Sequence, residues 1–251
     1  MGTYLEERLD WYDENYKAGN ALISNSHFDQ LEKKLQRIDP KCNYFISRNN
    51  LILPSLPKDQ INKFLGGLLN KTRLVIEPKI DGCAIALQYE YGILTKAINQ
   101  EGKDVTNKLK DVIDVPNNLK VKRLLQVRGE LFAPSEYKRP RNSQLQASGY
   151  LRARDNKSDN LSFCCYQILN SKFNQYDSLV YLEKLGFSIP ENHFCNHTSA
   201  VEIFRKNWLD KKLFSNYPTD GIIIKINSRK LQLLREKSYG VYPYWQMAIK
   251  H

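Results

Sequence analysis

From Leu74 onward the apolar residues leave helical spacing and gather into short β-rich runs separated by turn residues. This change of period restricts the fold more than any other feature. Leu74-Val75-Ile76, Ala84 to Tyr89, Ile93 to Ile98, Leu124 to Phe132, Leu161 to Leu169 and Asp220 to Ile226 read as strands. Glu90-Tyr91-Gly92 reads as the hairpin turn between the second and third. Helices are expected from Lys58 to Leu69, Tyr176 to Leu185 and Ala200 to Lys206, and a loop at Arg139-Pro140-Arg141-Asn142. The mixture predicts an α+β fold of mostly antiparallel sheets. No internal repeat or low-complexity linker interrupts it.

Before Leu74 the period is helical. One helix carries Leu5, Leu9, Trp11, Tyr12 and Tyr16 and ends near Gly19. A second, from about Ser26 to Ile38, repeats Phe28, Leu31, Leu35 and Ile38 on one face, with Ser26 and Asp29 as an N-cap pair. Asp39-Pro40 closes the unit. The expected organisation is a small helical subdomain over 1–40 and a larger domain over 41–251.

A chain of 251 residues can bury a core of that size without staples. No apolar run approaches a membrane span, and the start of the chain lacks an apolar signal core, so a cytoplasmic setting is expected. Thirty-eight Lys and Arg against 27 Asp and Glu leave a net charge of +11. Such an excess suits a polyanionic partner, because cations that neutralise phosphates release condensed counterions. A merely basic surface is the alternative. Cys42, Cys83, Cys164, Cys165 and Cys195 show no zinc spacing, and the Cys164-Cys165 pair inside an apolar run reads as buried thiols. His27, His193, His197 and His251 do not suggest a triad.

The chemistry concentrates at Glu77-Pro78-Lys79-Ile80-Asp81-Gly82, where a lysine follows a strand and precedes an Asp-Gly turn. Alone, this is compatible with a surface lysine beside an ordinary turn. Downstream come Val127-Arg128-Gly129-Glu130-Leu131-Phe132, Phe163-Cys164-Cys165-Tyr166, Thr219-Asp220-Gly221-Ile222-Ile223-Ile224-Lys225-Ile226, and Tyr244-Trp245-Gln246-Met247-Ala248-Ile249-Lys250. In this order the five stretches resemble the core motifs of covalent nucleotidyltransferases. Asp104-Val105-Thr106, Arg141-Asn142 and Ala147-Ser148-Gly149-Tyr150-Leu151-Arg152 are similar to segments of the NAD⁺-dependent DNA ligases. Tyr16, Ile23, Phe28-Asp29 and Leu31 resemble that family's helical appendage for the nicotinamide half of NAD⁺.

The resemblance implies a nucleotidyltransferase (ATP-grasp-like) fold and a set of roles. Lys79 attacks the NAD⁺ α-phosphate and takes AMP, which passes to the 5′-phosphate of nicked double-stranded DNA. An unperturbed lysine has a pKa of about 10.4, so Lys225, Lys250 and Mg²⁺ are expected to disfavour its ammonium form by like-charge repulsion. Glu130 contacts the AMP ribose and also reaches Mg²⁺, and Asp81 contacts ribose or the nick end. Glu77 lies near the adenine edge, Tyr166 stacks on adenine, and Arg128, Arg141 and Arg152 meet phosphate. Tyr16, Phe28 and Asp29 recognise the NMN half. Trp245 is read as core. Lys17, Asn25 and Phe28 stand where the family usually has His, Asp and Tyr, and Ile98 to Gly102 lacks the family's arginine. An ATP-dependent polynucleotide ligase core and a catalytically poor DNA-binding accessory module therefore remain alternatives. The family's OB-fold, zinc-finger, helix-hairpin-helix and BRCT regions have no counterpart in the chain. It is expected to be a fragment, a short ligase of a bacterial, phage or viral repair or replication system, or one subunit of a split enzyme whose OB fold is on another chain.

Overall fold

The computed structural model describes residues 2–17, 22–39, 51, 53, 56, 61–134, 142–153, 160–239 and 244–250. The chain divides into two compact units, Met1–Leu51 and Ile52–His251. Among the described residues no helix is long and apolar enough to cross a membrane.

The first unit is a helical hairpin of α1 (Gly2–Lys17) and α2 (Asn25–Ile38). Leu5, Leu9 and Leu35 are buried between them, and Phe28 and Leu31 pack against these. Trp11 departs from the expected apolar stripe and is 52% exposed. Leu5, Leu9 and Tyr12 follow the i, i+4, i+7 spacing of one face, and position 11 falls outside it. The cap of α2 also differs from expectation. It is Ser24, whose hydroxyl accepts the His27 N–H at 3.3 Å. The helix begins one residue earlier than its apolar spacing suggests, with the Phe28 N–H already bonded to the Ser24 carbonyl.

The second unit holds two four-stranded antiparallel sheets. In the first, β1 (Leu74–Ile80) lies between β6 (His193–Cys195) and β7 (Thr219–Ile226), and β8 (Gln246–Lys250) closes the far edge. In the second the order is β3 (Ile93–Asn99), β2 (Cys83–Glu90), β4 (Leu125–Phe132), β5 (Ser162–Ile168). The α+β, antiparallel architecture is the one the hydrophobic pattern predicts. Several bounds differ. β1 runs four residues beyond Ile76, so Lys79 is within the strand, opposite Gly221. Pro78 is tolerated there because β6 covers only Leu74 to Ile76, leaving a one-sided stretch where a residue with no N–H costs little. The pattern does not anticipate β6, β8 or the helices α4 (Thr106–Leu109), α5 (Ser143–Arg152) and α8 (Arg229–Tyr239). The helix predicted over 58–69 is confined, among described residues, to α3 (Ile61–Leu65). α6 spans Gln175–Lys184, and α7 spans Val201–Leu209.

Each sheet has one apolar face and one mixed face, as strand alternation requires. In the first sheet Leu74, Ile76, Ile222, Ile224, Ile226, Met247 and Ile249 pack on Phe64, Trp208, Phe214 and Trp245. Trp245 is core, 2% exposed. The opposite face carries Glu77, Lys79, Ile223, Lys225, Gln246 and Lys250, aligned by register. In the second sheet Ile85, Leu87, Tyr89, Val127, Leu131, Phe163 and Cys165 face the other core. Ala84, Ala86, Arg128 and Glu130 face away from it. Ile80, Phe132, Cys164 and Tyr217 form a small cluster between the sheets. The described cysteines Cys83, Cys164, Cys165 and Cys195 are free thiols.

Candidate active site

The mixed faces of the two sheets border one cleft of about 330 Å³. Glu77, Lys79, Asp81, Arg128, Glu130, Tyr166, Asp220, Lys225 and Lys250 all line it. The structure therefore brings together residues from all five sequence stretches. Lys79, Gly221 and Lys250 stand abreast across three strands. A Cβ at Gly221 would come within 2.2 Å of the Ile249 carbonyl oxygen. Any larger residue would therefore push β7 away from β8 and separate the two lysines. Gly82 works in the same way at the β1–β2 connection, where a Cβ would lie 2.3 Å from the Leu131 oxygen and 2.9 Å from Glu130 Cγ.

Two β-bulges aim side chains at this cleft. In the first sheet the register passes from Lys79↔Gly221 to Ile80↔Thr219, leaving Asp220 as the extra residue. A bulge re-aims its residue off the regular alternation, and here Asp220 reaches both lysines. Lys79 Nζ donates to Asp220 Oδ1 at 2.7 Å, and Lys250 Nζ approaches Asp220 Oδ2 at 2.5 Å. In the second sheet Arg128 pairs with Gln167 and Gly129 with Cys165, so Tyr166 is the extra residue. Tyr166 lines the cleft, and its carbonyl leaves the ladder to accept from Lys225 Nζ at 3.1 Å.

Asp220 is absent from the residues singled out by sequence, although it stands in the Thr219-Asp220-Gly221 stretch. Its presence changes the electrostatics expected around Lys79. Lys225 does not act there as a bare like charge, because its ammonium is paired with Glu77 Oε2 at 2.7 Å with both side chains buried. Lys250 shares a carboxylate with Lys79 instead of simply repelling it.

The carboxyls titrate differently. Burial alone would raise the Asp220 carboxyl, but hydrogen bonds from Lys250 and Lys79 outweigh it and hold it below its ordinary range. Burial raises Asp81, helped by the charge of Asp220 and opposed by Lys79. Glu130 is pushed up to about 8, chiefly by loss of water, with Lys79 pulling down and Asp81 and Asp220 pushing up. Burial also raises the Tyr166 phenol.

The other expected residues are placed less centrally. Arg128 Nη1 donates to Gln167 Oε1 at 3.4 Å on the cleft wall. Arg152 is exposed at the end of α5, in the electrostatic surroundings of Cys83 and Glu101, and is not part of the cleft lining. Arg141 and the side chains of Tyr16 and Asp29 lie outside the described residues. Phe28 is half-buried in the small core of the helical hairpin. Gln100, within the Ile98 to Gly102 stretch, and Gln144 also line the cleft, although neither is singled out by itself in the sequence.

Residues 57–251 match the family model described as NAD-dependent DNA ligase adenylation domain. A DNA ligase of Fervidobacterium nodosum is 30% identical over 98% of this chain and 44% of its own length. A DNA ligase of Thermosipho africanus is 25% identical over 98% of this chain and 45% of its own. The chain thus spans less than half the length of these relatives. A solved structure titled Pmar-Lig_PreS3 shares the fold, with a TM-score of 0.56 at 13% identity over 92% of this chain and 52% of that one. With the family model matching well over half of its residues, the chain belongs to the NAD-dependent DNA ligase adenylation domain family.

Proposed function

We propose that this chain is the adenylating core of an NAD⁺-dependent DNA ligase, with Lys79 as the residue that takes AMP. The observation that carries the reading is the position of Lys79. It sits on a strand, beside Lys250 and Asp220, on the wall of a cleft also lined by Tyr166, Glu77 and Glu130. Its side chain is 21% exposed, open enough to meet a phosphate. Lys79 Nζ, once it has lost a proton, forms the N–P bond to the α-phosphate of NAD⁺. The P–O bond to the nicotinamide half breaks, and NMN leaves with that electron pair. Splitting the transfer through a phosphoramidate replaces one hard step with easier ones. Asp220 holds Lys79 on the cleft wall, and Lys250 meets the charge that builds on phosphate. Tyr166 offers a face for the adenine, a contact worth about 1–3 kcal/mol by comparison with bases on aromatics. Tyr16, Phe28 and Asp29 of the helical hairpin recognise the NMN half, and Arg128, Arg141 and Arg152 serve phosphates of NAD⁺ or DNA.

The donor set also fits Mg²⁺. Among the described residues no group of three or more His, Cys, Asp or Glu forms a metal cage. Mg²⁺ does not need one, because it is commonly held by one or two carboxylates with phosphate oxygens completing the shell. Glu130 and Asp81 are carboxyls raised chiefly by burial, and the charge of Asp81 raises Glu130 further, so a cation would favour the ionised form of both. When bound, the ion neutralises charge on the phosphates.

AMP then passes to the 5′-phosphate of a nick. Nicked duplex should bind loosely and with little sequence preference, with log K falling linearly against log salt, as the +11 charge requires. An OB-fold-bearing partner or region would be needed for efficient sealing. The decisive experiment is incubation with labelled NAD⁺ and, separately, labelled ATP. Label from NAD⁺ on the wild type and none on Lys79→Ala is the expected result. Label from ATP alone would point to an ATP-using core, and label persisting in the variant would sink the assignment of Lys79.

A further inference from the structure

Gln175 is not part of the cleft wall, yet it holds groups that are. It opens α6, is 3% exposed, and its backbone N–H donates to the Asn227 carbonyl at 2.9 Å. Its carboxamide Nε2 donates to Glu77 Oε1 at 2.9 Å and to the Tyr166 carbonyl at 3.1 Å. Lys225 Nζ reaches the same two groups, Glu77 Oε2 at 2.7 Å and the Tyr166 carbonyl at 3.1 Å. Two donors and two acceptors close a ring. Glu77 and Lys225 belong to one sheet and Tyr166 to the other, so the ring ties the sheets together at the cleft.

The ring has a chemical consequence. With one oxygen held by Gln175 and the other by Lys225, the Glu77 carboxylate cannot turn. An ionised carboxylate offers about four lone-pair sites, so acceptor capacity remains beyond these two bonds, on a residue that lines the cleft. Beside it Lys225 only donates. An acceptor next to a donor complements a base that presents an amino group beside a ring-nitrogen acceptor, as adenine does. Hypoxanthine presents the reverse pattern, a carbonyl beside an N–H. Discrimination between the two depends on the carboxylate keeping its plane and on the Tyr166 bulge keeping its place.

We propose that Gln175 is a positioning residue for the nucleotide base: by locking Glu77 and the Tyr166 bulge, it sets the preference for a 6-amino purine. The proposal rests on the nucleotidyl-transfer reading above. Gln175→Met keeps the length of the side chain and the backbone bond to Asn227 and removes both carboxamide bonds. Binding of AMP and of IMP to the full chain is measured by calorimetry, alongside KM and kcat for self-adenylation with NAD⁺. The expected result is a loss of AMP affinity of about tenfold, the scale of one hydrogen bond to a charged group. The AMP-to-IMP preference should fall by a similar factor, KM should rise, and kcat should change little. An unchanged AMP-to-IMP ratio would overturn the proposal, including where the variant merely melts earlier. Gln175→Leu supplies a second test, since it offers Glu77 no donor and must lose the preference as fully. Retention of the preference in that variant would overturn the proposal too. Failure of the wild type to take label from NAD⁺ would instead overturn the functional reading, and the AMP-to-IMP ratio would still decide the role of Gln175.

Discussion

Two lysine–carboxylate pairs stand on the same sheet at the same separation, and they differ in their access to water. Lys225 and Glu77 meet at 2.7 Å with side chains 0% and 1% exposed. Lys79 and Asp220 also meet at 2.7 Å, with side chains 21% and 33% exposed. The buried pair is satisfied further by Gln175 and the Tyr166 carbonyl. Neither member can part without leaving a charge almost wholly shielded from water. The open pair sits in higher dielectric, where a phosphate can replace the carboxylate at modest cost. On the proposed reading, equal geometry therefore yields a frame in one place and a reagent in the other. Burial makes the distinction, and the backbone reinforces it. Glu77 lies in regular ladder opposite Ile223, whereas Asp220 is a bulge residue.

The comparison breaks most visibly at activity. Asp220→Ala should reduce self-adenylation by about 10²–10³, the loss typical of removing one preorganised electrostatic group. Rates within about threefold of wild type would show that the Lys79–Asp220 contact belongs only to the resting protein. The next effect is on stability. Glu77→Gln should cost about 3–5 kcal/mol in urea unfolding, because it strands the Lys225 ammonium in the interior. Replacing both members, Glu77→Met with Lys225→Met, should recover most of that loss, since a buried pair exchanged for apolar residues of similar size is often neutral. A cost for Glu77→Gln below about 1 kcal/mol would place the buried pair in the same class as the open one.

Much of this arrangement is legible in the amino-acid order. β2, β4 and β7 can be read because their apolar residues fall at strand spacing, and the motifs then put Glu130 and Lys225 at positions facing the cleft. β8 is harder to read, because four of its five residues are buried and it shows no alternation. α5 escapes because Ser143 to Arg152 carries only a weak apolar stripe and includes Gly149. Asp220 acts through a register shift between two strands and meets Lys79 across 141 positions of sequence, and no local pattern announces such an event. Gln175 is hidden for a smaller reason. The apolar spacing starts the helix at Tyr176, one residue too late, so the residue that enters the ring falls outside it.

Glu130 sharpens the contrast from a third position, as a carboxyl governed by loss of water more than by a nearby lysine. Its value is raised from the ordinary 4.5 to about 8, mainly by burial. The folded protein therefore keeps a proton that the unfolded chain gives up. The associated stability is complete below about 4.5 and is lost as the pH rises through about 8. Thermal melts of wild type and Glu130→Gln between those limits should diverge, with the wild type losing ground to the variant at the alkaline end. Parallel curves would mean that Glu130 is better hydrated in solution than its place in the cleft implies.

The smallest expected effect is that of Asp220→Asn on stability. Asp220 is held below its ordinary carboxylate range: burial raises it, and hydrogen bonds from Lys250 and Lys79 more than compensate. For a lowered carboxyl the sign is opposite to that of Glu130. Its contribution is present above the unfolded value and disappears as the pH falls through the folded one. The side chain is 33% exposed, so solvent screens most of this gain, and the substitution should cost only about 0–1 kcal/mol at neutral pH. The cost should shrink further in high salt, because exposed charges are screened over about 10 Å at 0.1 M. Urea unfolding of Asp220→Asn at low and high salt reads this directly. A loss approaching that of Glu77→Gln, unmoved by salt, would show that the open pair is as structural as the buried one. Burial would then not be what separates frame from reagent on this sheet.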